Sequence, residues 1–303
     1  MRMPPCIRRR SRERGAYRFF TPDMAVDFWG PNSLEYGLTR ALERQEFILE
    51  YQPQVDVLSG QIVGAEALVR WQHPELGLLK PSNFIAAAEN SGLIVALGEW
   101  VLKTACVQLE EWKQAGLAPI RLCINLSAVQ IAQIDFTART ARLLADCNTD
   151  PAYLEFEITE SAVMHNVDAC IVRLQQIRQL GIGLALDDFG TGYSSLSYLR
   201  QLPINRLKID ISFVRTLTSE VGGDIMVRAI SSMARSLGIE VLAEGVEKRE
   251  QVDLLKLEGC HQMQGYYFSP AVPAKDLEVM RRDGLVIAVE RSLQSSKSSA
   301  AGA

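Results

Sequence analysis

Carboxyl side chains recur within or directly after short apolar segments of this 303-residue chain. Side chains alternate between two faces along a strand, so the polar members of each segment share one face and the apolar members share the other. The parallel strands of a barrel end on the same rim, and acids carried on those ends would gather there. The acids are Glu66, Glu157, Asp187, Asp188 and Glu244.

Such a group of acids has a charge imbalance that suggests its chemistry. Buried carboxylates repel one another and take up protons unless cations balance them, and Arg70 and Lys208 are the cations expected near them. Carboxylates together with the amide oxygen of Asn125 make an all-oxygen site suited to Mg²⁺ or Mn²⁺. The neighbouring Asp187 and Asp188 could serve two ions, an arrangement used in phosphodiester hydrolysis.

A glycine-rich segment follows these two aspartates. Residues 188–195 have the sequence Asp-Phe-Gly-Thr-Gly-Tyr-Ser-Ser and are predicted to lead into a helix. The backbone there could approach a phosphate or nucleotide closely, or the segment could be an ordinary flexible turn. Its position after two acids at a strand end favours a role in binding a ligand.

Eight short apolar segments alternate with segments of helical periodicity. This pattern predicts an α/β fold, a TIM-like (β/α)8 barrel with its active site at the carboxyl ends of the strands. Only residues 56–61 separate the first two strands, too few for a crossover helix, so the first strand is predicted to be antiparallel. The strands are predicted at residues 47–55, 62–69, 122–126, 154–158, 182–186, 206–209, 241–243 and 265–268.

Composition and charge limit the possible partners, the location and the domain boundaries of the protein. A net charge of −4 gives no signature of a DNA or RNA duplex partner, and no apolar run is long enough for a membrane span. Six cysteines without a CxxC pair indicate reduced thiols in a cytoplasmic protein. Residues 1–33 are predicted to be irregular or disordered, residues 34–285 to form the barrel, and residues 286–303 to be a helix end and a disordered tail.

The motifs resemble those of the EAL-domain family of cyclic di-GMP phosphodiesterases. The signature Glu-Ala-Leu stands at residues 66–68, and three letters alone would carry little weight. The match continues in order and spacing over about residues 35–280, which makes it specific. The further motifs are Tyr-Gln-Pro at 51–53, Asn-Leu-Ser at 125–127, Glu-Ile-Thr-Glu-Ser at 157–161, Asp-Asp-Phe-Gly-Thr-Gly at 187–192, Lys-Ile-Asp at 208–210, Ala-Glu-Gly-Val-Glu at 243–247 and Gln-Gly-Tyr at 264–266.

The resemblance implies metal-dependent hydrolysis of cyclic di-GMP to linear pGpG, with two ions of Mg²⁺ or Mn²⁺. The metal-ligand positions of the family are matched by Glu66, Asn125, Glu157, Asp187, Asp188 and Glu244. Its catalytic positions are matched by Glu66, Asp188, Lys208, Glu244 and Gln264. Its dinucleotide contacts are matched by Gln52, Leu68 and Arg70, and its loop-supporting glutamate by Glu160.

Two other functions remain open. An EAL domain can be a receptor that binds cyclic di-GMP without cleaving it, but such members lack one or more of the acids, and here every expected acid is present. A barrel enzyme of another class could use Lys208 as a base, but its motif order is absent. The resemblance also implies a homodimer. Residues 16–24 resemble the end of a diguanylate-cyclase domain. The chain is therefore interpreted either as a fragment of a longer protein with sensory or cyclase domains or as a degenerate tandem, and synthesis of the messenger is not predicted.

Overall fold

The computed structural model describes residues 31–164, 166–190, 196–218 and 222–283. The predictions for residues 1–30 and 284–303, including the cyclase-like segment and the tail, lie outside these residues. The chain divides into two compact units. Among the described residues, the smaller unit contains residues 31–48 and Val69–Leu97, and the larger contains Leu49–Leu68 and residues 98–283.

Strands alternate with helices along the described residues, as predicted. The strands are β1 (Phe47–Asp56), β2 (Gln61–His73), β3 (Gly77–Leu79), β4 (Arg121–Asn125), β5 (Leu154–Thr159), β6 (Gly183–Phe189), β7 (Arg206–Ile209), β8 (Glu240–Ala243) and β9 (Gln262–Met263). The helices are α1 (Pro31–Glu43), α2 (Ile85–Ser91), α3 (Ile94–Gln114), α4 (Ala128–Ile131), α5 (Phe136–Asp146), α6 (Glu160–Met164), α7 (Val167–Gln179), α8 (Leu196–Leu199), α9 (Ile211–Thr216), α10 (Asp224–Leu237), α11 (Arg249–Leu257) and α12 (Ala274–Asp283).

The larger unit is built on a closed eight-stranded barrel, and the predicted fold class is confirmed. The strands pair in the order β1-β9-β8-β7-β6-β5-β4-β2, and pairing of β1 with β2 closes the ring. Strand β1 is antiparallel to β9, whereas β2 and β4 to β9 pair in parallel. Asp56 shapes the turn that follows β1, because its Oδ1 accepts hydrogen bonds from the backbone N–H groups of Leu58 and Ser59.

The last strand of the barrel lies earlier than the sequence predicts. Residues 265–268 were expected to form it, but the strand is Gln262–Met263 and residues 265–268 form a turn. The backbone N–H groups of Phe268 and Ser269 both donate to the carbonyl of Gly265. A β-carbon at Gly265 would overlap the backbone of Val246. This close approach is a glycine feature that the apolar pattern of the segment does not reveal.

The smaller unit has an aromatic core of its own. The rings of Phe47, Trp71 and Phe84 lie with centroids 5.7 to 5.9 Å apart. Strand β3, which the sequence did not predict, pairs antiparallel with the end of β2. Helix α1 begins at Pro31 rather than after Ser33, in keeping with the fixed φ of proline, which suits a first helical turn.

Apolar side chains fill the outer layer of the larger unit. Leu154, Phe156 and Ile158 alternate along β5 and are almost fully buried, as is Leu174 of α7. The polar residues of the same strand occupy the opposite face, so the period-two pattern separates an apolar layer from a polar barrel interior. Among the described helices, none has the length and apolar character needed to cross a membrane.

Truncation of this layer is expected to destabilise the fold. Leu174 is completely buried, so Leu174→Ala should leave a cavity and lower the free energy of unfolding by about 2–5 kcal/mol. Val172 lies on the same helix and is 56% exposed, so Val172→Ala should change it by less than about 0.5 kcal/mol. Urea unfolding of both variants measures the difference. Equal losses would contradict the packing of α7 described above.

Candidate active site

The predicted polar residues meet at one end of the barrel, where the parallel strands have their carboxyl ends. Asn125 stands opposite Glu157 in the register of β4 and β5, so neighbouring strands bring their side chains together. The group consists of Glu66 on β2, Asn125 on β4, Glu157 on β5, Asp187 and Asp188 on β6, Lys208 on β7, Glu244 directly after β8 and Gln264 directly after β9.

Lys208 lies at the centre of the group and is completely buried. Its Nζ is 2.6 Å from Glu157 Oε2, 2.7 Å from Glu244 Oε1, 3.2 Å from Asp187 Oδ2 and 4.0 Å from Glu66 Oε2. Burial by itself would lower the pKa of the ammonium, but the surrounding carboxylates outweigh it and raise the pKa well above its usual value. Lys208 is therefore a permanent cation.

Glu66 is held as a carboxylate by two amides. Asn125 Nδ2 donates to its Oε1 and Gln264 Nε2 donates to its Oε2, each at 2.6 Å. Burial opposes ionisation, but the charge of Lys208 and these two hydrogen bonds outweigh it, so the pKa of Glu66 is lowered. The amide of Asn125 uses its nitrogen for Glu66, which leaves its oxygen as the atom that could coordinate a cation.

The remaining acids carry more negative charge than one ammonium can balance. Burial raises the pKa of Glu157 well above its usual value, against the opposing effect of Lys208. Burial also raises the pKa of Glu244 to about 8, and the charge of Asp187 adds to the effect. The pKa of Asp188 is raised by burial and by Asp187. These acids favour their protonated forms until further positive charge arrives.

A divalent cation fits this group of acids. Asp187, Asp188 and Glu244 each offer a carboxylate oxygen, and these oxygens lie within 4.8 Å of one another. Glu157 Oε1 is buried and accepts no hydrogen bond from the described residues. A hard cation would supply both the missing charge and a partner for that oxygen, and the donors are all oxygens. The acidic group could therefore hold metal.

Glu160 contacts the backbone just after the paired aspartates. Its Oε2 accepts a hydrogen bond of 3.0 Å from the N–H of Gly190. Asp188 has a φ of 55°, which is strained for a residue with a β-carbon, and its N–H donates to Asp187 Oδ1 at 2.9 Å. These contacts fix the end of β6, which carries the two aspartates. The loop-supporting role of Glu160 remains a prediction.

The three predicted dinucleotide contacts are not equivalent. Gln52 is half-buried, accepts a hydrogen bond from Gln264 Nε2 and donates to the carbonyl of Ser269. Leu68 is half-buried on β2, two residues beyond Glu66. Arg70 belongs to the smaller unit, where its Nη1 donates to the carbonyl of Val69. Their roles in binding a nucleotide remain predictions.

A second polar layer lies in the barrel beneath the acids, and none of its members is among the predicted site residues. Its members are Gln54 on β1, Cys123 on β4, Glu155 on β5 and Arg206 on β7. Arg206 contacts both Gln54 and Glu155. The signal available in the sequence was the strand period, since Arg206 precedes Lys208 by two residues and Glu155 precedes Glu157 by two.

Comparison with known proteins identifies this arrangement. A model of the EAL domain matches residues 37–271. The chain belongs to the EAL domain family. The match spans the barrel and every residue of the acidic group, so the recognition made from the motifs is confirmed.

Relatives of this EAL domain are larger proteins. The chain is 40% identical over 264 residues to the bifunctional diguanylate cyclase/cyclic di-GMP phosphodiesterase MucR of Pseudomonas aeruginosa, covering 87% of this chain and 38% of MucR. It is 38% identical over 269 residues to the cyclic di-GMP phosphodiesterase NbdA of the same organism, covering 89% of this chain and 34% of NbdA. The chain thus spans well under half the length of these relatives.

Solved structures of EAL domains share the fold. A c-di-GMP complex of the PaMucR phosphodiesterase has a TM-score of 0.77 and 41% identity, covering 80% of this chain and 99% of that chain. The EAL domain of Mycobacterium smegmatis DcpA has a TM-score of 0.69 and 34% identity, covering 79% of this chain and 99% of that chain.

The acidic group should make the stability of the metal-free EAL domain depend on pH. Folded Glu244 keeps its proton up to a pKa of about 8, whereas the usual value is 4.5. Between these values the folded state binds the extra proton, so the free energy of unfolding falls as pH rises, by at most about 1.4 kcal/mol per pH unit for this group. Glu244→Gln should remove this contribution.

Urea unfolding in a chelator between about pH 5 and pH 8 measures this effect. The wild type should lose more stability than Glu244→Gln as pH rises. The exposed Glu250→Gln on α11 is the matched control and should follow the wild type. Parallel curves for wild type and Glu244→Gln would show that Glu244 is already ionised in the folded protein.

Proposed function

We propose that this EAL domain hydrolyses one phosphodiester bond of cyclic di-GMP to give linear pGpG, with two ions of Mg²⁺ or Mn²⁺. The observation that carries the proposal is the group of four carboxyl side chains within 4.0 Å of the buried ammonium of Lys208, at the carboxyl end of the barrel. The names of MucR and NbdA as cyclic di-GMP phosphodiesterases support the same substrate.

The cations have assigned positions in this proposal. Glu66, Asn125, Glu157 and Asp187 would hold one ion, while Asp188, with Asp187 and Glu244, would hold the second. When bound, such ions polarise a phosphoryl oxygen and lower the pKa of an attacking water. The carboxylate oxygens of Asp187, Asp188 and Glu244 already lie within 4.8 Å of one another, which supports a shared ion.

The side chains of the domain have their own tasks. Lys208 stays cationic among the acids and can stabilise negative charge that develops on the phosphate oxygens. Glu244, 2.7 Å from Lys208, is proposed either to hold a cation or to take the proton released by the attacking water. Gln264 keeps Glu66 oriented through its hydrogen bond of 2.6 Å. Gln52, Leu68 and Arg70 are proposed to contact the dinucleotide.

Two further proposals rest on the family resemblance. The domain is expected to pair with a second copy of itself, and to act in the cytoplasm as one part of a longer signalling protein. Sedimentation of the purified domain tests the first, and a monomer at every concentration would contradict it. Localisation of the full-length protein tests the second.

The purified domain should convert cyclic di-GMP to pGpG when Mg²⁺ or Mn²⁺ is present and should stop when a chelator is added. Glu66→Ala should lower the turnover rate at least about 100-fold, because it removes a metal ligand. Glu250→Ala, at an exposed position on α11, is the control and should retain the wild-type rate. Chromatography of the nucleotides measures the product.

The outcomes separate an enzyme from a receptor. Product formation that Glu66→Ala removes supports the phosphodiesterase. Tight binding of intact cyclic di-GMP without product, with metal present, would identify the domain as a receptor. A Glu66→Ala variant with the wild-type rate would overturn the assignment of the metal site.

A further inference from the structure

The polar layer beneath the acids is buried and has no direct part in the proposed reaction. Gln54, Cys123, Glu155 and Arg206 are each at most 2% exposed. Burying an ionised side chain is costly, even when it is paired, and replacing such pairs by apolar residues is often neutral for stability. A contribution to stability is therefore a weak explanation for this buried polar layer, and its contacts suggest a different role.

Arg206 is fixed at the base of the layer. Its Nη1 lies 3.0 Å from Glu155 Oε1 and its Nη2 lies 3.1 Å from Glu240 Oε2. A guanidinium can only donate hydrogen bonds, and Nη1 also donates to Gln54 Oε1 at 2.9 Å. The amide of Gln54 must therefore turn its oxygen toward Arg206.

Each amide fixes the orientation of the next one, and the last amide contacts Glu66. Gln54 Nε2 donates to Gln264 Oε1 at 3.2 Å, so the nitrogen of Gln264 lies on the other side of its amide. There it donates to Glu66 Oε2 at 2.6 Å and to Gln52 Oε1 at 3.0 Å. Turning over the Gln264 amide would set oxygen against oxygen at Glu66 and at Gln52, and nitrogen against nitrogen at Gln54.

The backbone leaves room for this line of amides. Gly64 lies on β2, two residues before Glu66. A β-carbon at Gly64 would lie 2.7 Å from Gln54 Oε1 and 3.0 Å from the carbonyl oxygen of Arg121. Any larger residue there would displace the Gln54 amide from the place where it meets Arg206. The absence of a side chain at Gly64 therefore leaves the space that the Gln54 amide occupies.

We propose that Gln54 and Arg206 are positioning residues, which fix the orientation of the Gln264 amide and thereby hold Glu66 in place as a metal ligand. This inference rests on the proposed function, because Glu66 is assigned to a metal there. Neighbouring hydrogen bonds of fixed direction strengthen one another in a buried site. Supporting hydrogen bonds to a metal ligand commonly change metal affinity by about 10- to 100-fold.

Substitution of Gln54 tests the direction of the hydrogen bonds separately from the packing. Gln54→Glu keeps the shape of the side chain, and the charge of Arg206 beside it favours the carboxylate, which accepts at both oxygens. It therefore faces Gln264 Oε1 with an oxygen and favours the turned amide. Gln54→Met keeps the approximate volume and removes the hydrogen bond without reversing it.

The first measurement is the affinity for Mn²⁺, from electron paramagnetic resonance of the free ion. Affinity should fall by about 10-fold or more in Gln54→Glu and less in Gln54→Met. Arg206 gains a carboxylate partner in Gln54→Glu, so this variant should resist urea at least as well as Gln54→Met does. If Gln54 has a purely structural role, the variants should differ from the wild type in stability and should keep its affinity for Mn²⁺.

Cys123→Ala is the matched control. The thiol of Cys123 lies in the same layer and contacts Gln54 Oε1 at 3.5 Å and Glu155 Oε1 at 3.4 Å. It does not determine which way the Gln54 amide faces, because Arg206 already donates to the same oxygen. Cys123→Ala should therefore lose some stability and keep the wild-type affinity for Mn²⁺.

Cyclic di-GMP turnover by the same variants separates this inference from the proposed function. Weakened Mn²⁺ binding in Gln54→Glu supports the positioning role even if the wild type forms no pGpG, which would overturn only the proposed reaction. Wild-type Mn²⁺ affinity in a folded Gln54→Glu variant overturns the positioning role, even if wild-type turnover is normal. A wild type that does not bind Mn²⁺ overturns both.

Discussion

The buried ammonium of Lys208 is the interaction on which the rest of the site depends. Four carboxylates approach it within 4.0 Å, and their mutual repulsion would be prohibitive inside a closed barrel without it. Burial and the neighbouring acids still raise the pKa values of Glu157 and Glu244, whereas Lys208 and two amide hydrogen bonds lower the pKa of Glu66. This excess of acids over cations is the reason that the group could hold metal.

The barrel makes this balance compatible with folding because it separates two kinds of side chain. Strand alternation sends apolar residues outward to the helices and polar residues into successive layers of the interior. The antiparallel first strand contributes to both layers in reversed order. Gln52 contacts Gln264 beside the acids, and Gln54, although later in the chain, lies deeper beside Arg206.

Hydrogen bonds of fixed direction connect the acids with the polar layer beneath them. The guanidinium of Arg206 can only donate, carboxylates can only accept, and the amides of Gln54 and Gln264 between them must adopt one orientation. Glu66, a metal ligand in the proposed function, is therefore held through contacts that begin at Arg206, in the polar layer beneath the acids. The EAL motif at residues 66–68 is one end of this arrangement, and Gly64 just before it provides space for the other.

The sequence by itself determined the barrel, the antiparallel first strand and the acids at the strand ends, because strand period and strand termini are local properties of the chain. It misplaced the last strand, since the turn at Gly265 depends on contact with the backbone of Val246. It also gave no role to Gln54 or Arg206. Gln54 and Gln264 are 210 residues apart, and Gln54 and Arg206 are 152 apart. Only closure of the barrel brings these side chains together, and only that contact decides the direction of their hydrogen bonds.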